Sequence, residues 1–315
     1  MRQIHAGLYP QIIREINKLK LNITLSALLS LDYFECITDM LQLRKDGLLA
    51  YLAIDTGTYA GNVVNNRPHQ STRFEEYSQY LRLFGHLFDF VPAYDEDFDD
   101  PEKNQALLKI MKSKLLEPSS PPDVRADKKR ESLVNNLIPT VHNAAEAFDE
   151  FEYYHKLGHK RIAIGSRPKP TVEEWNKIHF YRYKHGIKTH HFGVMDFAEI
   201  KAHCPDSIDS TDFAISTSFG DVIMLYWNTE DPANPRRQEI TFRSNRDKKP
   251  NAALYDESVH GKYLKEAGIP FTYGELVADA GKRQIVNIYT LSLMEKWFTD
   301  VHGPAHRKLY TPRNK

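Results

Sequence analysis

The sequence predicts an α/β fold in which a single (β/α)8 TIM barrel spans residues 1–315. Short apolar or β-branched runs alternate with amphipathic segments of about a dozen residues, which is typical of a parallel sheet with helical connections. Seven strand segments follow one another in this way, and that number favours a closed barrel over an open sheet. No Gly-x-Gly-x-x-Gly motif follows a strand, which weakens the dinucleotide-binding alternative.

The chain opens with an amphipathic pattern over residues 10–21, where isoleucines and a leucine recur at helical spacing. Pro10 suits a first helical position, because its missing N–H is not needed there. Residues 22–30 are apolar and β-branched at their start, so they predict a first strand, and residues 34–43 predict a helix. The apolar run 48–55 predicts a second strand that ends in an aspartate.

The next unit is a helix over residues 74–88, with tyrosines, leucines and a phenylalanine on one face. Residues 88–95 predict a third strand, again ending in an acid, and residues 105–116 predict a helix. Clustered prolines begin the segment 117–132 and charged residues end it. Because prolines remove backbone donors, this segment is predicted to be a flexible insertion.

Two further units follow the same order. Residues 136–142 predict a fourth strand, and residues 144–157 predict a helix that ends at Gly158, a residue suited to a C-terminal cap. Residues 161–166 predict a fifth strand that ends in a Gly-Ser pair. The helical pattern over residues 171–184 completes the unit.

The last strands of the barrel are predicted over residues 187–194 and 206–211, with a short helix between them. Residues 221–250 predict a β-hairpin insertion, because two strand-like runs flank a turn that contains proline and asparagine. From about residue 256 to residue 302 the pattern is helical, which predicts C-terminal helices. The tail, residues 303–315, is basic and predicted to be loose.

Composition limits the function classes. The chain has 42 basic and 42 acidic residues, so contact with a nucleic acid requires a local basic patch rather than a global field. No apolar run approaches a membrane span and the N-terminus lacks a signal-peptide pattern, so we expect a cytoplasmic protein with no membrane partner. The two cysteines, Cys36 and Cys204, are too few for a disulfide framework or a four-cysteine zinc site.

Carboxylates, imidazoles and small residues close several predicted strands. In a barrel the active site lies at the carboxyl ends of the strands. These ends hold Asp55, Asp95, His142, Gly165 with Ser166, the segment 190–193 and Asp209. That combination favours a site over a layer that serves stability alone.

Taken in order, five short motifs resemble the guanine transglycosylase superfamily, whose members exchange guanine for a 7-deazaguanine in nucleic acid. The motifs are Asp-Thr-Gly-Thr-Tyr at 55–59, Ala-Tyr-Asp-Glu at 93–96, Ile-Gly-Ser at 164–166, His-His-Phe-Gly-Val at 190–194 and Asp-Ser-Ile-Asp-Ser at 206–210. The resemblance covers residues 48–220. Family members that act on tRNA carry a zinc site with three cysteines, which this chain cannot form, because no cysteine follows Cys204. The chain therefore resembles the branch that acts on DNA, which includes phage enzymes.

The resemblance implies catalytic roles for two aspartates and no cofactor. Asp209 is the expected nucleophile, since a carboxylate can attack an anomeric carbon and hold a covalent sugar intermediate. Asp55 is expected to move protons between the enzyme and the bases. The plainer interpretation makes both residues turn aspartates. An Asp-Thr-Gly motif also occurs in aspartic proteases, but those are all-β chains.

The remaining candidate residues are expected to bind the substrates rather than to take part in the reaction. Tyr59 is expected to stack on the base, Asp95 to accept hydrogen bonds from the guanine edge, and Gly165 and Ser166 to donate to the base carbonyl. The other substrate-binding candidates are His190 and Gly193. A metal at the histidines is not required by their spacing. A basic set of the predicted hairpin is expected to hold the nucleic-acid backbone: Arg236, Arg237, Arg243, Arg246, Lys248 and Lys249.

The sequence thus predicts a guanine transglycosylase that inserts a 7-deazaguanine, such as the cyano form, into DNA, with the free base as its second substrate. Three alternatives stay open. The same exchange on tRNA differs only in the polymer. A non-catalytic nucleic-acid-binding barrel would bind without turnover, and a barrel hydrolase of small N-glycosides would release free sugar.

Overall fold

A parallel β-sheet with helical connections forms the body of the molecule. The computed structural model describes residues 1–6, 8–30, 36–56, 71–96, 100–118, 121, 123–165, 169–194, 196–210, 217, 220–228, 231–242 and 255–311. Its strands are β1 (Arg2–Ala6), β2 (Ser26–Ser30), β3 (Tyr51–Asp55), β4 (Thr140–Val141), β5 (Arg161–Ile164), β6 (Lys188–His191) and β7 (Ser207–Ser210). They pair in the order β3-β2-β1-β7-β6-β5-β4, and each pairing is parallel. The predicted parallel α/β architecture is confirmed.

Helices follow nearly every strand. Their bounds are α1 (Pro10–Lys18), α2 (Ile37–Lys45), α3 (Ser71–Phe84), α4 (Pro101–Leu116), α5 (Val124–Asn136), α6 (Ala147–Lys156), α7 (Val172–His185), α8 (Phe197–His203), α9 (Lys262–Glu266), α10 (Tyr273–Ala278), α11 (Ala280–Trp297) and α12 (Gly303–Tyr310). None of the helices in the described ranges is both long and apolar enough to cross a bilayer.

The sheet is curled, because side chains from both of its ends pack in one buried cluster. Ala53 of β3 and Ala163 of β5 belong to this interior cluster, together with Ile4 of β1. The segment between α3 and α4 also reaches both ends of the sheet. Phe90 forms a parallel bridge to Ala53, and Pro92 forms one to Ile138, just before β4.

A second, smaller core lies outside the curled sheet. Strands β8 (Asp221–Asn228) and β9 (Asp231–Thr241) pair antiparallel. Val222 and Ile240 are fully buried there against Val286 of α11 and Leu276 of α10. The helices that follow β9 thus hold the two-stranded sheet through apolar contacts.

Four segments differ from the prediction, and the first is residues 88–95, which form isolated bridges instead of the predicted third strand. Strand β1 was not predicted, because Gln3 and His5 interrupt its apolar pattern although both are buried. Residues 124–132 of the predicted flexible insertion belong to helix α5, whose first turn is capped by the Asp123 side chain. The tail expected to be loose contains helix α12, and His306 of that helix bonds to Tyr183 of α7.

Candidate functional site

Asp209 lies in β7, at the carboxyl end of the sheet, with only 12% of its side chain exposed. Its Oδ1 accepts a hydrogen bond from the backbone N–H of Gly193 at 3.0 Å. Gly193 has a φ of 61°, a left-handed conformation that glycine adopts without steric cost. The turn after β6 therefore presents its N–H to the carboxylate, and the backbone of Val194 donates to the Asp209 carbonyl at 3.2 Å.

His190 lies beneath Asp209. Its Nε2 is 3.3 Å from Oδ1 of Asp209, and its Nδ1 is 3.0 Å from the Ser207 hydroxyl. The imidazole packs against two aromatic rings that also contact each other, with centroid distances of 4.4 Å to Phe90 and 4.5 Å to Phe192. His190 is 3% exposed, whereas Phe192 is half-buried, so Phe192 is the ring of this stack that solvent reaches.

Asp95 belongs to a second group of contacts at the same end of the sheet. Its Oδ2 is 2.8 Å from Nε2 of His142, which follows β4. Glu150 of α6 holds the His142 backbone, since its Oε2 accepts the N–H groups of His142 and Asn143, both at 2.9 Å. Tyr154 donates to the other Glu150 oxygen at 3.1 Å. A buried carboxylate thus fixes the strand end that presents His142 to Asp95.

Gly165 contributes space next to His142. A Cβ atom at this position would lie 3.0 Å from Nδ1 of His142 and 3.2 Å from the Val141 carbonyl oxygen. The N–H of Gly165 donates to that same carbonyl at 3.0 Å. We expected this N–H to bind the base carbonyl, but here it serves the β4–β5 pairing.

Asp55 ends β3, where it pairs in register with Ser30 of β2. Burial raises the pKa of the Tyr77 phenol well above its ordinary value, and the charges of Asp55 and Asp95 raise it further. The buried Tyr77 phenol is therefore close enough to both carboxylates for their charges to affect its pKa. Tyr77 donates to the Pro92 carbonyl at 2.8 Å, which places it behind the segment that leads to Asp95.

Backbone contacts connect these groups. The N–H of Phe192 donates to the Ile164 carbonyl at 3.2 Å, which joins the Asp209 group to the strand end at Gly165. On the other side, the N–H of Ile54 donates to the Phe90 carbonyl at 3.1 Å, which joins Asp55 to the aromatic stack. Asp55 and Asp209 lie at the carboxyl ends of β3 and β7, with β2 and β1 between these strands, and Asp95 follows the segment that bridges β3 and the residue before β4.

His191 points the other way, as expected for successive residues of a strand. Its ring lies 4.9 Å from Trp175 of α7. Burial lowers the pKa of His191 well below its ordinary value, and the neighbouring Arg182 and His203 add to the effect. Only His190 of the pair faces the sheet interior.

The other predicted site residues are described in part or not at all. Tyr59, Ser166, Arg243, Arg246, Lys248 and Lys249 lie outside the described residues. Arg236 and Arg237 lie on β9, opposite Tyr226 and Leu225 of β8. Their backbone register pairs them with β8 in the two-stranded antiparallel sheet.

The sequence predicted no role for four residues that contact His190 or hold the strand end at His142: Phe90, Phe192, Glu150 and Ser207. A signal existed for Ser207, because it lies two residues before Asp209 and so shares its face of the strand. For Glu150 no local signal existed, since its partners are backbone N–H groups of another element. The sequence predicted that His142 lies at a strand end but predicted no function for it.

A cleft of about 640 Å³ lies elsewhere, at the amino end of the sheet strands. Leu19, Thr24, Tyr289 and Lys296 are among its lining residues. No catalytic candidate borders it, and barrel enzymes place their chemistry at the opposite end. In the described residues, no three His, Cys, Asp or Glu side chains are grouped as ligands of one metal ion.

Neither a protein-family model, nor a curated protein, nor a solved structure matches the chain.

Proposed function

We propose that this protein is a base-exchange transglycosylase that replaces guanine in DNA with a 7-deazaguanine. The observation that carries the proposal is the setting of Asp209. Its side-chain contacts are one backbone N–H and one imidazole, and no Lys or Arg of the described residues lies within ion-pair reach. A carboxylate that is not held in an ion pair with Lys or Arg keeps an oxygen lone pair available for attack on an electrophilic carbon.

The reaction proceeds in two displacements. A carboxylate oxygen of Asp209 bonds to C1′ of the deoxyribose as the C1′–N9 bond breaks. Guanine leaves with that electron pair and takes a proton from the Asp55 carboxyl group. The incoming 7-deazaguanine then gives its N9 proton to Asp55 and attacks C1′, and the bond from C1′ to Asp209 breaks. Both carboxyl groups return to their starting states, so no redox cofactor is needed.

Base recognition uses the second group of contacts. Asp95, oriented by His142, accepts hydrogen bonds from the N1–H and amino group of guanine, an edge that adenine does not offer. The half-buried ring of Phe192 offers a stacking surface next to Asp209, and stacking is worth about 1–3 kcal/mol per base in nucleic-acid sites. Tyr59 is proposed as a second stacking residue.

DNA is the proposed polymer, because the chain lacks the cysteines of the tRNA-modifying relatives in the resemblance described above. A base inside a duplex must be extruded before C1′ can react, and extrusion requires a grip on the backbone. The arginines of β9 are suited to that grip. We further infer that residues 88–93 act as the eighth strand of a closed barrel and that β8 and β9 form the predicted hairpin insertion.

The test is an exchange assay on purified protein with DNA and, separately, tRNA, using labelled guanine and a 7-deazaguanine. We expect incorporation into DNA, and we expect Asp209→Asn and Asp209→Ala to lose it. Asp123→Asn is the matched control, because Asp123 only caps α5 and asparagine caps equally well.

Each alternative predicts another result. Retained exchange in Asp209→Asn would remove the proposed nucleophile. Incorporation into tRNA alone would change the polymer, binding without turnover would identify a non-catalytic barrel, and release of guanine without incorporation would identify a hydrolase. Mass spectrometry of nucleosides from both polymers, taken from cells that express the chain, separates exchange in DNA from exchange in tRNA.

A further inference from the structure

We infer that His190 and Ser207 are positioning residues that, together with Gly193, leave Oδ2 of Asp209 as the oxygen that attacks the sugar. The inference rests on the proposed function and assigns a division of labour within its nucleophile. It also separates His190 from the residues that contact substrate, because the imidazole is 3% exposed and lies under Phe192.

The two oxygens of Asp209 have different surroundings. Oδ1 accepts the Gly193 N–H at 3.0 Å and lies 3.3 Å from Nε2 of His190. Neither contact involves Oδ2. Donors near Oδ1 draw negative charge to that oxygen and fix its position, so the oxygen without these contacts is the one able to approach C1′.

Ser207 selects the imidazole tautomer that this arrangement needs. The Ser207 hydroxyl lies 3.0 Å from Nδ1 of His190. When that hydroxyl donates to Nδ1, the ring proton is on Nε2 and points toward Oδ1 of Asp209. The opposite tautomer would place a nitrogen lone pair against the carboxylate, and this repulsion disfavours it. The rings of Phe90 and Phe192 prevent the imidazole from turning away.

Nε2 of His190 and Oδ1 of Asp209 are 3.3 Å apart but do not have the geometry of a hydrogen bond. Nε2 of His190 is buried, and in the described part of the molecule it makes no hydrogen bond of good geometry. Catalytic hydrogen bonds are often long in a free enzyme and tighten when substrate binds. In the second displacement Asp209 leaves C1′ and regains its negative charge. An Nε2–H next to Oδ1 stabilises that developing charge without touching the substrate.

The kinetic test compares three variants in the exchange assay. His190→Phe keeps a ring but loses the donor, so we expect kcat to fall about 100-fold with little change in the KM for guanine. The side chain of His190→Gln can still donate to Oδ1, so we expect its kcat to be about tenfold higher than that of His190→Phe. Ser207→Ala removes the hydroxyl that selects the His190 tautomer. Both tautomers are then populated, and kcat should fall about tenfold. His86→Phe, at an exposed histidine, is the control.

A rise in KM with unchanged kcat would show that His190 contacts substrate, and equal kcat losses in the Phe and Gln variants would reduce its role to packing. A second measurement does not depend on activity. In nitrogen-15 spectra of the free protein we expect the proton of His190 on Nε2, and Ser207→Ala should weaken that preference. A proton on Nδ1 in the wild-type protein overturns the inference alone, whereas absent exchange with the expected tautomer overturns the proposed function and leaves only the positioning of Asp209 by His190 and Ser207.

Discussion

Gly165 shows how a single residue can matter through the atoms it lacks. The sequence motif suggested a backbone donor for the base, but its N–H is bound to Val141. What the position provides is room for the His142 ring, which in turn orients Asp95. In the structure this position therefore has a packing role that the motif did not predict.

Replacing Gly165 with alanine tests this role. The added Cβ would meet Nδ1 of His142 at 3.0 Å and a backbone carbonyl at 3.2 Å, so the imidazole must shift. Overpacking of this kind costs about 1–3 kcal/mol. Under the proposed function, we expect the KM for guanine to rise about tenfold while kcat changes little, because Asp209 is held by other contacts. Gly274→Ala is the control, because nothing lies within 4 Å of its added Cβ. An unchanged KM would contradict the assignment.

Local pattern predicted some site residues and not others. Asp209 and Gly193 each belong to a short motif, so their positions could be assigned before their contact was seen. The partner of Asp95 could not be assigned, because His142 is 47 residues away and only the parallel arrangement of the strands brings the two together. Contacts across the sheet edge require the topology, which no motif encodes.

At the scale of elements, helices α7, α8 and α12 meet in a cluster of histidines. Nε2 of His179 lies 3.3 Å from Nδ1 of His203, and the Trp175 ring stacks on His203 at 4.0 Å. His306 bonds to the Tyr183 hydroxyl at 2.8 Å and to the Ala202 carbonyl at 2.9 Å. This cluster explains why the predicted loose tail is a packed helix. Its signal was hidden, because histidines carry no apolar periodicity.

The cluster predicts that stability falls in mild acid. Burial, together with the neighbouring His306 and Arg182, lowers the pKa of His203 from 6.5 to about 4. Burial and the same cationic surroundings lower that of His179 from 6.5 to about 2. Between each folded value and 6.5 the unfolded chain binds a proton that the folded chain does not. Stability is therefore full above about pH 6.5 and declines as the pH falls, by at most about 1.4 kcal/mol per pH unit for each imidazole.

Urea denaturation at about pH 7 and about pH 5 measures this decline. His203→Gln removes one titrating group, so we expect a smaller difference between the two pH values than in the wild-type protein. His185→Gln, at an exposed position of α7, should leave the difference unchanged. If His203→Gln has the wild-type pH dependence, the buried cluster is not the source of the acid sensitivity.

At the scale of the whole molecule, alternation of strands and helices was enough to predict a parallel α/β sheet. The prediction placed seven strand segments, and six of them coincide with β2 to β7. The seventh, residues 88–95, forms only isolated bridges, while β1 lies inside the sheet between β2 and β7. Strand β1 escaped prediction because Gln3 and His5 are buried polar residues. Their burial depends on α11 and other distant elements, as the bond from Gln3 to Glu295 illustrates.

Asp89 tests whether the segment 88–93 joins the two ends of the sheet. Its side chain accepts the Leu52 N–H at 2.9 Å and the Arg44 guanidinium at 2.8 Å, and its carbonyl accepts Arg161 at 3.0 Å. Asp89→Ala leaves the first two donors without their acceptor, which costs about 1–3 kcal/mol of unfolding free energy. The control is Asp39→Ala, whose side chain is 60% exposed and should matter by less than about 0.5 kcal/mol.

Hydrogen exchange then separates a closed barrel from an open curled sheet. Four backbone bonds join the segment 88–93 to its neighbours: Ile54 to Phe90, Asp89 to Leu52, Ala93 to Ile138 and Ile138 to Val91, at 2.8–3.1 Å. In a closed barrel these amides lie in the cooperative core, so we expect protection equal to that of β1 and β7, falling with global stability in Asp89→Ala. Fast exchange at Ala93 and Ile138, with slow exchange in β1, would mean that the sheet opens there. An open sheet would leave Asp95 on a fraying edge and remove the rigid support that the proposed base recognition by this carboxylate requires.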